Sequence, residues 1–244
     1  MSGQLRAELL KLRTTRTVLV LMLGMVALVL LATLGQGLAG DAEELGRESG
    51  QRNLFGVGSA GTLFAALAGI MAVTSEFRHG TIRPTLVFSP RRERVLAAKV
   101  AAAVVAGLVL TATAQALALG IGYVALRGRG LDVALGGAEI GAIVGGTLAA
   151  GALWGGIGAS LGALVRSQVG AIIGLLAWSF IAEGLLFGLA PRYGRFAPGS
   201  ASNALSGAAA DHLLSAAAGG ALLAGYLAAF AAAGAASMLR RDVP

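Results

Sequence analysis

Hydrophobic and polar positions along this chain alternate on a scale of tens of residues. Six apolar stretches, at 17–38, 54–75, 101–124, 140–165, 169–190 and 215–239, are separated by polar segments. The first carries no charge over 22 positions. As a helix rising about 1.5 Å per residue it reaches about 33 Å, enough to cross the hydrocarbon of a bilayer. A cleaved signal peptide has an apolar core of only about 7–15 residues, so this stretch is expected to remain as an anchor. The pattern predicts an all-α polytopic membrane protein, a single domain over 1–244 with six transmembrane helices. Ahead of the first span, Leu5, Leu9 and Leu12 fall on one helical stripe, with Arg6, Lys11, Arg13 and Arg16 around it. That predicts a short helix over 1–16 lying in the headgroup layer. The 191–214 segment holds Pro191, Pro198, Gly199 and Gly207 and is too broken to cross; it should form short helices dipping into the outer leaflet.

Composition agrees with that picture. Apolar residues make up 56% of the chain and charged ones 13%, with a mean hydropathy of +0.78. Soluble domains carry about 25% charged residues, so this chain lacks the polar surface to cover a globule in water. With no cysteine, disulfides, thiol catalysis and cysteine-bound metals are excluded. The net charge of +7 would fit nucleic acid. The distribution of the basic residues points elsewhere, and no nucleic-acid partner is expected. Segment 1–16, segment 76–99, Arg166 and Arg240-Arg241 together hold thirteen of them, and the other loops hold six. By the positive-inside rule both termini and the 76–99 loop are expected in the cytoplasm, at the cell membrane. All but Lys11 and Lys99 are arginine, which with abundant Ala and Gly hints at a GC-rich bacterial source.

Enzyme chemistry finds no support in these residues. His79 and His212 are the only histidines, and the topology puts them on opposite sides of the membrane. A P-loop needs Gly-Lys-Ser/Thr, whereas Lys11 follows Leu10 and Lys99 follows Ala98. Any ATP hydrolysis must therefore belong to another polypeptide. Glu183 is the one ionisable residue well inside a span. It is either an ion-coupling group or, the stronger reading, an outer-leaflet carboxylate near interfacial water or an arginine. Thr111, Thr113 and Gln115 are expected to bond neighbouring helices. The pairs Gly141/Gly145, Gly151/Gly155, Gly158/Gly162 and Gly170/Gly174 share the small-xxx-small spacing that lets helix backbones approach. Trp154, Trp178 and Phe180 either line an apolar cavity or pack against lipid and core.

The longest polar interruption is 74–99, TSEFRHGTIRPTLVFSPRRERVLAAK. A short helix over 76–83 should stop at Pro84. Ser89-Pro90 reads as an N-cap followed by proline at the first helical position, so the third helix should begin near Pro90 and run to about Leu126. The order Glu76, Gly80-Thr81, Leu86, Pro90, Arg91-Arg92, Lys99 resembles the loop after the second span of type-2 ABC (ATP-binding-cassette) exporter permeases. The similarity in layout covers the whole chain, but its distinctive residues lie in this loop. It implies a permease that binds no cofactor itself and works with two copies of an ATP-binding subunit that carry ATP and Mg. It also implies a second permease copy, identical or a close paralogue, and export of an amphiphile or a surface component; it does not name the substrate, and a drug, a lipid-like molecule or a peptide all fit the Phe- and Trp-bearing spans. By that resemblance Glu76, Phe77, Arg78, His79, Gly80, Thr81 and Arg83 couple to the ATPase. Glu76 and Arg78 would then make charge-assisted bonds across the contact. The second and fifth spans would border the translocation path, with Phe64, Trp178, Phe180, Glu183 and Phe187 along it. Two other classes stay open: an ATP-independent carrier or channel, and a membrane anchor for a cytosolic protein.

Overall fold

A computed structural model describes residues 2–81, 92–208 and 213–240, and all regular structure among them is helical. Six helices are long and apolar enough to span a membrane: Arg16–Ala39, Glu48–Arg78, Glu93–Gly128, Gly137–Val165, Gln168–Leu189 and Ala216–Leu239. Each overlaps one of the apolar stretches of the sequence. The chain is thus a polytopic all-α membrane protein in its architecture.

The first span is α2 (Arg16–Ala39), preceded by α1 (Ser2–Thr14). The acidic segment after α2 is not an open loop. Asp41 accepts the Glu43 N–H at 3.0 Å and starts α3 (Ala42–Leu45), and α4 (Glu48–Gly56) follows. A 3-10 turn at Val57–Ala60 joins α4 to α5 (Gly61–Arg78), so the second span is long and interrupted. The interruption has a partner. Gln115, in the third-span helix α6 (Arg92–Gly128), donates its amide to the Phe55 carbonyl at 3.0 Å. Gln115 therefore does bond a neighbouring helix, whereas Thr111 and Thr113 make no such bond among the described residues. Their hydroxyls turn back to Gly107 and Val109 in their own helix.

The fourth span, α7 (Gly137–Val165), is the centre of the bundle, packed on α5, on α6 and on the last helix, α12 (Ala216–Arg240). Of its apolar stretch 61% is buried, against only 6% for the fifth span. Close approach explains why α7 is so rich in glycine. A Cβ at Gly155 would lie 2.2 Å from the Ala103 carbonyl oxygen, and one at Gly158 would lie 2.1 Å from that of Ala66. Only hydrogen fits there. Gly151 and Gly162 are similarly crowded, by Thr111 and Ile70, whereas Gly141, Gly145 and Gly174 have open space. Two of the four glycine pairs thus form helix contacts, Gly141/Gly145 forms none, and Gly170 meets only its own local turn.

The fifth span is α8 (Gln168–Ala177), a π turn at Trp178–Ala182 and α9 (Glu183–Leu189). The broken segment after it contains α10 (Pro191–Gly194) and α11 (Pro198–Leu205), each opening on proline. Proline suits the first helical turn because the N–H it lacks would have no partner there.

Candidate functional site

Two places in the bundle gather the residues singled out by sequence. One is the end that carries the N-terminus; the other is a cleft in the opposite half.

At the first, Lys99 is buried near the start of α6, its side chain 1% exposed. Its ammonium donates to Glu76 at 2.6 Å and to Glu8 at 2.9 Å. Lys11, half-exposed on α1, donates to the same two carboxylates, each at 2.9 Å. The only two lysines of the chain therefore share the same two glutamates, and the four charges cancel. An isolated buried charge is very costly; a neutral, hydrogen-bonded cluster can be held. Burial would lower the Lys11 ammonium, but its bonds to Glu76 and Glu8 outweigh that and raise it above the ordinary value of 10.5. The cluster pins α1 to the ends of the second and third spans.

This corrects the picture of α1. The helix is present, but Glu8, in the middle of the Leu5–Leu9–Leu12 stripe, is buried, and α1 packs on α6. The face of α1 that carries Glu8 packs on protein. The helix expected to start at Glu76 is corrected as well. There is no separate helix starting at Glu76: Glu76, Phe77 and Arg78 are the last turn of α5. His79 caps it, and Gly80 at φ +68° takes the left-handed conformation that ends it. Glu76, 7% exposed, points inward and makes its charge-assisted bonds within the chain. Arg78, His79, Gly80 and Thr81 lie at the surface, with His79 Nδ1 held 2.7 Å from the Ser75 carbonyl. Phe77 sits under the Arg166 guanidinium, 5.5 Å from its ring centre. Arg166, itself at φ 59°, also donates to the Ser237 carbonyl at 2.5 Å and so reaches the last helix. Arg83, the Pro84 stop and the helix start at Ser89-Pro90 lie outside the described residues.

Beside the cluster, Glu8, Lys11, Glu76, Arg78, His79 and Thr81 line a groove of about 520 Å³ between α1, α2, α5 and the start of α8.

The second place is a cleft of about 610 Å³. Phe180, Glu183 and Phe187 of the fifth span line it, together with Leu28, Leu63, Trp154 and Leu175. Trp178 is not among them; across the π turn it lines a smaller cavity of about 330 Å³ with Trp154 and Phe230. Phe64 packs elsewhere, against Met25 and Val29 of the first span. Of the five residues proposed along a path, three share the cleft. Among the described residues Glu183 pairs with no arginine. Its Oε1 accepts the N–H groups of Gly199 and Ser200, at 2.7 and 3.1 Å, which are among the otherwise unpaired first donors of α11. The fifth span is thereby tied to the broken segment.

Glu8 is the residue that sequence reasoning missed. The signal was present, a carboxylate at i+3 from Leu5 inside an apolar stripe, with just two lysines in the chain to answer it. No protein-family model and no curated protein matches the chain.

Proposed function

We propose that this chain is the membrane-spanning permease subunit of an ATP-driven ABC exporter, moving an apolar or amphiphilic molecule across the cell membrane. The observation that carries the reading is the charged junction at the end of the second span. Three helices are locked there by buried ion pairs, while the adjoining Arg78–Thr81 turn stays exposed. A force applied to that turn is passed to α1, α5 and α6 together, as rigid packed helices move. The half of the bundle beyond it holds a largely apolar cleft, the place for a cargo. Two ATP-binding subunits would supply ATP and Mg, a second permease copy would complete the assembly, and both termini would face the cytoplasm.

The test is purification from the native membrane under mild detergent. A co-purifying P-loop protein whose ATPase activity rises with added substrate supports the proposal. A cysteine placed at exposed His79 should resist an impermeant thiol reagent in intact cells, and one at Ser49 should react. A chain that purifies alone and transports in ATP-depleted vesicles is instead a carrier, the reading that Glu183 in the cleft would favour.

A further inference from the structure

The cleft in the outer half of the bundle combines an apolar wall with one charge. Among the described residues that line it, Glu183 is the single ionisable one, and no lysine or arginine forms an ion pair with it. Both of its hydrogen bonds fall on Oε1. Oε2 takes none from the described residues. Gly199 makes room for that oxygen, since a Cβ there would come within 2.4 Å of it. The helix N-terminus offsets part of the negative charge, but only at one of the two oxygens. A carboxylate held among Leu63, Trp154, Leu175 and Phe187 gains most from a cation that brings its own apolar surface. The rings of Trp154, Phe180 and Phe187 add faces on which such a cation is attracted. The volume is that of a drug-sized site, which typically spans about 300–1,000 Å³.

From this geometry we infer that the cleft binds lipophilic cations, with the positive charge against Glu183 Oε2 and the apolar body against Leu63, Trp154 and Phe187. The site reads charge through one carboxylate and tolerates shape, because the rest of its wall is apolar. Binding itself needs no ATPase; the inference rests on the exporter reading only for the fate of the bound molecule.

The experiment uses the full chain, purified in lipid nanodiscs, with three probes of similar bulk: tetraphenylphosphonium, neutral triphenylphosphine oxide and anionic tetraphenylborate. Equilibrium dialysis should give binding in the order cation, neutral, anion. Glu183→Gln keeps an oxygen that can accept the Gly199 and Ser200 N–H groups, so the tie to α11 survives while the charge goes. It should weaken phosphonium binding about tenfold or more and change binding of the oxide less than about twofold. Leu63→Trp, which fills the cleft, should weaken both. Unchanged phosphonium affinity in Glu183→Gln overturns the inference. So does equal binding of all three probes, which marks a lipid-filled cleft. Absence of phosphonium binding together with dissociation of a dimer by Leu63→Trp also overturns it, and assigns the cleft to a second copy. Each of these leaves the exporter reading standing, just as failure to co-purify an ATPase leaves the binding site standing.

Discussion

Lys99 reaches Glu76 across 2.6 Å although 23 residues separate them in the chain, and neither side chain is more than 9% exposed. Removing one member of a buried ion pair strands the other, at a cost of about 3–5 kcal/mol. Lys99→Met would leave Glu76 and Glu8 with the half-exposed Lys11 alone, one cation for two buried carboxylates. We expect it to destabilise the purified chain by about that amount, read as a fall in its thermal midpoint in detergent. Lys11→Met removes a half-exposed partner, and exposed pairs contribute about 0–1 kcal/mol. Equal effects of the two substitutions would show that burial does not govern the cluster.

The same cluster makes the docking of α1 sensitive to alkali. Burial alone would lower the Lys11 ammonium, yet Glu76 and Glu8 raise it above 10.5. A raised lysine contributes fully below its unfolded value and loses its contribution as pH rises through the folded one. A spin label on exposed Leu10 should therefore keep a constant mobility from neutral pH to about the ordinary lysine value and loosen above it. In Lys11→Met that alkaline transition should shrink. A transition of unchanged size in the variant would assign it to another group.

The spans and their order were legible because twenty or so uncharged residues in a row admit one physical solution. The broken segment at 191–214 was legible for a related reason, since Pro191 and Pro198 break it into helices too short to cross. What could not be read was pairing across distance. Glu8 and Lys99 are 91 residues apart. Seen locally, the first is a charge on a small amphipathic helix and the second a snorkelling lysine at a span end. The tie from Glu183 to α11 was hidden likewise, because its partners are backbone N–H groups that carry no residue signature. The glycines make the same point. Four pairs share one spacing, and only the neighbours brought by the fold decide which are contacts.

That difference among glycines can be measured. At Gly155 a methyl group would sit 2.2 Å from a backbone oxygen of α6, a neighbour that cannot rotate away. Overpacking of this kind typically costs about 1–3 kcal/mol. Gly155→Ala should lower the thermal midpoint clearly, while Gly141→Ala, with nothing near its added Cβ, should match the parent or exceed it slightly through better helix propensity. If both variants lose stability alike, the interhelical contacts at α7 are not as close as described.

Charge reversal next to the junction separates docking from transmission. Arg78 is exposed and Glu76 buried, only two residues apart on the last turn of α5. Arg78→Glu should leave the thermal midpoint within about 0.5 kcal/mol of the parent, as surface changes do. If the turn docks on an ATPase, this reversal should still weaken the complex, and more so at low salt, because exposed charges act through a screened field. Glu76→Gln should do the opposite. It leaves the docking surface intact but unbalances the buried cluster, so association persists while stability falls and less substrate moves per ATP. The two variants thus fail in different measurements, affinity for one and coupling ratio for the other. If Arg78→Glu binds the ATPase as the parent does at low salt, the turn is not the docking surface, and the buried cluster holds the fold without transmitting anything.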